Sequence, residues 1–229
     1  NLAGAGAIGT GTLLEALAEK LAAPIGKALL GKSSVPDSSP YCTGSVGLLG
    51  TKPSADALKN CDLLLLVGTS FPYIEFYPEP GQALCVQIDN NPERIGLRYP
   101  CDVGLVGDAA KTLQFLLLRI IQKVDHSWLH KAQESKQQWL ELMTERGTNK
   151  ELPMKPQVVT FELNKLLKDD AIILCDSGTI ATWYARYIDV RENQLATLSG
   201  NLASMACAVP YALAAQLAFP SRQVVAIVG

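Results

Sequence analysis

The sequence predicts an α/β protein built on a parallel β-sheet. Three observations predict it. The stretch from Cys61 to Asp108 holds three short apolar runs, Leu63–Val67, Leu84–Ile88 and Val103–Val106. Each run ends in a polar loop: Gly68-Thr69-Ser70, Asp89-Asn90-Asn91 and Gly107-Asp108. Runs of this length between turn signals suit strands buried on both faces of a parallel sheet. Strand-like runs also alternate with helix-patterned segments along the chain. Finally, Gly4-Ala5-Gly6-Ala7-Ile8-Gly9 matches G-x-G-x-x-G between a strand tail and a helix, the context of a Rossmann-like turn. Ligands of open parallel sheets sit at the carboxyl ends of strands, so three consecutive polar strand ends are where a nucleotide would lie.

Taken in order, Leu2–Ala3 reads as the end of a strand. Thr12 is expected to cap a helix over Leu13–Ala22, whose Leu13, Leu14, Leu17 and Leu21 form one apolar stripe. The glycine turn before it either contacts a phosphate or ribitol, or serves packing alone. Pro24–Ala28 is a second strand. Gly31–Gly50 is read as a long loop, which in a compact domain is usually functional. Its glycine-dense, apolar end, Gly44–Gly50, suits backbone lying against a flat ligand, with a tightly packed turn as the alternative. Ser54–Asn60 is a short helix. Ser70–Pro78 holds four aromatics and two prolines, a stiff segment that either fills core or borders a planar heteroaromatic ligand. Asp89 is placed to bind a ribose hydroxyl. Ala109–Val124 is an amphipathic helix, and the charged segment from Asp125 to Pro153 is a helix followed by an interdomain linker. A second unit follows: helix Gln157–Leu167, strand Ala171–Cys175, and helix Ile180–Tyr187 opened by Asp176-Ser177-Gly178-Thr179, a second candidate anion site. Then come strand Leu195–Leu198, a small-residue-rich helix Met205–Phe219 suited to buried interfaces, and a buried strand Gln223–Gly229. The domains expected are 1–124, a helical linker 125–155, and 156–229.

Composition bounds the function. The 229 residues are 48% apolar and carry 20 basic against 22 acidic residues, a net charge of -2. That balance offers nothing to nucleic acid or to an anionic membrane surface. Six cysteines are scattered without a C-x-x-C pair, which reads as reduced, mostly structural thiols in a cytoplasmic protein. His126 and His130 are the only histidines; their spacing could chelate, but a solvated helix face is the plainer reading, and no metal ligand is assigned. No signal peptide or membrane span is read. Both ends read as cut, so the chain is expected to be a fragment.

APIGKALLGK, GSVGLLG, LLVGTSFPYIEFYP, VQIDNNPERIG, DVGLVGD, CDSGTIATWYARY and ASMACAVPYALAAQLAFPSRQVVAIVG, in this order and spacing, resemble thiamine-diphosphate (ThDP) enzymes of the pyruvate oxidase and acetolactate synthase group. Residues 1–122 resemble the middle domain of that group. Residues 156–229 resemble the first part of its pyrophosphate-binding domain. The GTSFPYIEFYP element is most similar to the pyruvate oxidase and quinone-dependent pyruvate dehydrogenase branch, whose middle domain carries FAD. The resemblance implies flavin contacts at Val46, Gly47, Leu48 and Leu49, at Ser70, Phe71, Pro72, Tyr73 and Ile74, and at Asn90, with Asp89 and Asp108 as neighbouring candidates. It implies thiamine contacts at Ala203, Ser204 and Met205, the methionine bending ThDP into its reactive V shape.

The implied parent decarboxylates pyruvate or another 2-oxo acid with ThDP, Mg2+ and FAD, and passes the electrons to oxygen or a quinone. It is a homodimer or homotetramer, at a membrane only peripherally if its acceptor is a quinone. No catalytic residue falls within the chain: the group's activating glutamate lies in another domain, and its metal-binding Gly-Asp-Gly would begin at Gly229. The fragment alone is therefore expected to be inactive. Leu202 stands where the group usually has a polar residue. A carboligase of the acetolactate synthase kind with structural FAD is the alternative, and a non-catalytic nucleotide-binding module is a third.

Overall fold

The computed structural model describes residues 1–229, which divide into two compact units, Asn1–Gln137 and Gln138–Gly229. The first unit holds strands β1 (Leu2–Ala3), β2 (Ile25–Lys27), β3 (Cys42–Ser45), β4 (Leu63–Val67), β5 (Leu84–Asp89) and β6 (Val103–Val106). They form one sheet in the order β3-β2-β1-β4-β5-β6, and every neighbouring pair is parallel. This is the doubly wound order, whose direction reverses between β1 and β4.

The alternation of strand side chains builds the core. Along β4, Leu64 and Leu66 enter one apolar cluster with Leu58, Tyr77 and Tyr99, while Leu65 and Val67 enter another with Leu14, Leu17 and Leu113. The first face is covered by α2 (Lys52–Lys59) and the second by α1 (Gly11–Leu21) and α3 (Ala109–Leu117). A continuous leucine run is needed because both faces are covered. The run Val103–Val106 does not meet that expectation. As edge strand β6 it leaves Val103 48% and Val106 61% exposed.

Helix boundaries shift for local reasons. Helix α1 begins one residue before Thr12, after Thr10, and neither threonine caps it: the Thr10 hydroxyl donates back to the Ala7 carbonyl. Helix α3 stops at Leu117, where the Lys20 ammonium of α1 donates to the Leu117 and Ile120 carbonyls. The expected loop 31–50 contains β3 and the last four residues of a 3-10 turn, Leu29–Ser34. Buried hydroxyls rather than apolar bulk hold β3 in place. Thr43 donates to the Ile25 carbonyl, and Thr51 donates to the Thr43 carbonyl while capping α2.

Helix α4 (Ser127–Gly147) fills much of the expected linker; His126 stands just before it. The second unit holds α5 (Pro156–Leu166), β7 (Ile172–Cys175), α6 (Ile180–Tyr187), β8 (Leu195–Leu198), α7 (Ala208–Ala218) and β9 (Val224–Ile227). Its three strands are parallel in the order β8-β7-β9. Only the central strand, β7, is buried throughout. Strand β9, expected to be buried, keeps one buried residue, Ile227. Helix α7 starts at Ala208 rather than Met205 because Cys207 and Ala208 turn inward while residues 201–206 stay at the surface. No helix is long and apolar enough to cross a membrane.

Candidate functional site

All six strands of the first sheet run the same way, so the loops after β3, β4, β5 and β6 emerge along one edge. The reversal point between β1 and β4 is closed by main chain. Gly4 N donates to Val67 O at 2.9 Å and Gly6 N to Gly68 O at 3.0 Å. Gly68 has φ +57°, and a Cβ there would stand 2.5 Å from Gly6. The glycine turn is thus packed against the next loop.

The loop after β3 and the loop after β4 meet, although β2 and β1 lie between their strands. Gly47 has φ +104°, and a Cβ there would stand 3.1 Å from the Phe71 ring and 3.6 Å from the Tyr73 ring. Phe71 is buried among Val46, Leu66 and Tyr77. The Tyr77 hydroxyl donates to the Phe71 carbonyl at 3.0 Å, and Tyr77 stacks on Tyr99 with ring centroids 5.6 Å apart. Burial pushes the Tyr77 hydroxyl well above the usual phenol range, so it stays a donor. Val46, Phe71 and Tyr77 are therefore the floor of the segment. Above it, Leu48 (62%), Tyr73 (42%) and Ile74 (64%) expose apolar surface beside exposed Pro72. Part of the aromatic stretch fills core, as one of its two readings expected, and part faces outward. Ser70 and Leu49 are half-buried at the same two loops.

The acidic positions sit farther along the edge. Asp89 is buried; its carboxylate accepts from Asn91 N at 3.0 Å, and its carbonyl accepts from Gly107 N at 2.9 Å. Asn90 beside it is exposed. Asp108 caps α3, accepting from Lys111 N at 3.0 Å. Gln87, which sequence reasoning passed over, ties these loops together. Its amide donates to the Thr69 and Arg94 carbonyls and accepts from Gly96 N. A polar residue inside an apolar strand run is the signal that marks it.

A buried charge cluster was missed as well. The Lys27 ammonium, fully buried at the end of β2, meets Asp37 at 2.8 Å and donates to the Val35 carbonyl at 2.8 Å. Lys32 meets the same carboxylate at 3.3 Å. Burial pulls Lys27 down, but Asp37 and Cys42 outweigh it and the ammonium ends above the ordinary lysine value. Lys136 donates to the Asp37 and Ser39 carbonyls. The cluster pins residues 31–41 under the edge where the loops emerge. A lysine within a buried strand is the sequence signal for it.

In the second unit, the loops after β7 and β8 are tied by serines. Ser177 donates to the Ser199 carbonyl at 3.0 Å, and the Ser199 hydroxyl accepts from Ser204 N at 3.2 Å. Asp176 is buried and accepts from Ala208 N at 2.8 Å, so it holds the first N–H of α7 from the end of β7. This places Ala203, Ser204 and Met205 beside the 176–179 turn. Ala203 (φ +50°) and Ala206 (φ +57°) hold left-handed backbone on either side of Ser204-Met205. Non-glycine residues pay roughly 1–3 kcal/mol for such conformations, which collect at ligand sites. Met205 is 80% exposed. No group of three or more His, Cys, Asp or Glu side chains is arranged to hold a metal ion.

Residues 2–116 match the family described as thiamine pyrophosphate enzyme, central domain. Residues 176–229 match the thiamine pyrophosphate enzyme C-terminal TPP binding domain. A Bacillus subtilis protein, YdaP, named as thiamine pyrophosphate-containing, is 41% identical over 95% of this chain and 37% of its own length. A pyruvate oxidase of Lactiplantibacillus plantarum is 29% identical over 99% of this chain and 38% of its own length. A protein of Methanocaldococcus jannaschii named as an acetolactate synthase large subunit is 31% identical over the whole chain, which spans 40% of it. The chain thus spans about two fifths of the length of these relatives. It belongs to the thiamine pyrophosphate enzyme family.

Proposed function

We propose that the chain is part of a ThDP- and FAD-dependent enzyme that decarboxylates pyruvate or a related 2-oxo acid and passes the electrons to oxygen or a quinone. Residues 1–124 are its flavin-binding middle domain, 125–155 a helical connection, and 156–229 the start of its pyrophosphate-binding domain. The observation that carries the reading is the contact of Gly47 with Phe71 and Tyr73. It gathers exposed Leu48, Pro72, Tyr73 and Ile74 over a rigid aromatic floor at a strand-end edge. That surface fits a flat, largely apolar ring system with a polar tail. Val46, Gly47, Leu48 and Leu49 would border the flavin on one side and Ser70, Phe71, Pro72, Tyr73 and Ile74 on the other. Asp89, Asn90 and Asp108 would serve its ribityl or adenosine part. The 29% identity to a pyruvate oxidase over nearly the whole chain supports the same branch.

Ala203, Ser204 and Met205 would hold ThDP, with Mg2+ accompanying its diphosphate, and the exposed Met205 side chain would support the bend between the two rings. ThDP supplies the carbanion chemistry that cleaves the 2-oxo acid, and FAD the electron acceptor. The chain's own residues bind and orient. The strained backbone at Ala203 and Ala206 fixes Met205, and the serine relay holds that loop against the 176–179 turn. The chain alone is inactive in this reading, and the parent is a cytoplasmic homodimer or homotetramer, peripheral to a membrane if it uses a quinone.

A carboligase reading, with FAD in a structural role, is favoured by the 31% identity to the acetolactate synthase relative. The full-length parent, supplied with pyruvate and with oxygen, a quinone analogue or no acceptor, separates the two. Acceptor-dependent pyruvate loss is expected. Acetolactate formation with no acceptor reduced would overturn the oxidase reading in favour of the carboligase.

A further inference from the structure

Three of the cysteines gather at the corner opposite the ligand-side edge. Cys61 precedes β4, Cys85 is the second residue of β5, and Cys101 precedes β6. The β5–β6 register pairs Val86 with Val103. Just before it, Asp102 N donates to the Cys85 carbonyl at 2.9 Å, and the Asp102 carboxylate accepts from Cys85 N at 2.7 Å. This reciprocal pair fixes residues 85 and 102 side by side and sets Cys101 diagonally next to Cys85. The Cys101 sulfur lies 3.8 Å from the Cys85 carbonyl oxygen. Both cysteines pack into the cluster that holds Leu64, Tyr77 and Tyr99. Cys85 is fully buried, whereas Cys101 is half-buried and open to solvent. The Cys61 thiol is turned away, donating to the Leu58 carbonyl at 3.2 Å.

We propose that Cys85 and Cys101 are a reversible redox-modification site, closing to a disulfide that ties edge strand β6 to β5. Strands about 4.8 Å apart with a rise of about 3.3 Å per residue set positions offset by one residue about 5.8 Å apart, and a disulfide spans Cα separations of about 4.4–6.8 Å, so the bond forms without moving either strand far. The oxidant is a small-molecule disulfide such as oxidised glutathione. The half-buried Cys101, as its thiolate, attacks one of the oxidant's sulfurs, forming a mixed disulfide and expelling one glutathione thiolate. The Cys85 thiolate then attacks the Cys101 sulfur, breaking that bond and expelling the second. Two protein thiols are oxidised and one glutathione disulfide is reduced to two glutathiones, which take up the two thiol protons. Burial, with the neighbouring Cys101 thiol and the Asp102 carboxylate, holds the Cys85 thiol at about 12. The second step is accordingly slow, and the bond closes only under an oxidising poise. The site stands apart from the flavin and thiamine positions and does not depend on their assignment.

The test uses the full-length parent, equilibrated in glutathione buffers from fully reduced to fully oxidised. Free thiols are blocked with N-ethylmaleimide in denaturant, the protein is digested without reductant, and the peptides are mapped by mass spectrometry. The expected product joins the Cys85 and Cys101 peptides, two hydrogens lighter than the reduced pair, and disappears with dithiothreitol. Backbone amides of β6 exchange hydrogen more slowly in the oxidised form. Cys101→Ala abolishes the linkage while the circular dichroism and melting of the reduced protein stay at the wild-type values. The proposal is overturned if both thiols are alkylated at every poise, if Cys101 stops at an unresolved glutathione adduct, or if Cys61 replaces Cys85 in the bond. Pyruvate turnover of the reduced protein is read separately, so failure there and failure here are distinguishable.

Discussion

At the scale of single residues, the first unit leans on a few positions that tolerate nothing else. Gly68 is one: with φ +57° and a would-be Cβ 2.5 Å from Gly6, Gly68→Ala should destabilise the parent by about 2–5 kcal/mol through strain and overpacking. Denaturant unfolding checks this. Asp37 is another, since it neutralises the buried ammoniums of Lys27 and Lys32. Asp37→Asn should cost about 3–5 kcal/mol, because it leaves those charges without a counter-charge. The pH dependence has a definite sign. The Lys27 value is raised in the folded state, so its contribution is complete below the unfolded lysine value of about 10.4. It is lost as pH rises through the folded value. Unfolding midpoints followed from about pH 8 upward should show this loss in the wild type and a weaker one in Asp37→Asn.

Elements differ in how plainly the sequence announces them. Strand β4 and helix α6 are legible residue by residue: a leucine run flanked by turn residues admits few other structures, and Ile180–Tyr187 is bounded as expected. Strand β3, Cys-Thr-Gly-Ser, is illegible because its stability comes from hydroxyl bonds to neighbours distant in sequence. Periodicity cannot register such bonds. Strand β6 shows the opposite error: an apolar run guarantees a strand but not a cover for both its faces. The candidate site divides the same way. Its loops were readable from their composition, but the split of Ser70–Pro78 into buried floor and exposed rim depends on where Tyr77 finds its partners, Phe71 and Tyr99. Thr51 joins α2 to β3 through two bonds, accepting from Ser54 N and donating to the Thr43 carbonyl. Thr51→Ala should therefore cost about 1–3 kcal/mol, measured by chemical denaturation, with more than the loss of a cap alone because a buried carbonyl is left bare.

For the molecule as a whole, the two units carry separable duties in the proposed enzyme, and one pair of variants tests that separation. Gly47→Ala forces a side chain at φ +104° into the Phe71 ring. The purified parent should lose its yellow flavin while its ThDP content stays unchanged. Met205→Ala removes an exposed side chain beside Ser204; it should leave the flavin in place and lower turnover about 100-fold through misplacement of the reacting groups. Absorbance spectra and cofactor analysis of the two proteins decide the outcome. If Gly47→Ala retained stoichiometric flavin, the assignment of the 46–49 and 70–74 loops would fail. The seam at the reversal point has a further consequence for how such proteins diverge. Gly4, Gly6 and Gly68 join β1 to β4 through main-chain hydrogen bonds, and only Thr69 among the side chains that follow presses on the joint. A scaffold hinged on glycine can change what it holds without renegotiating how it folds.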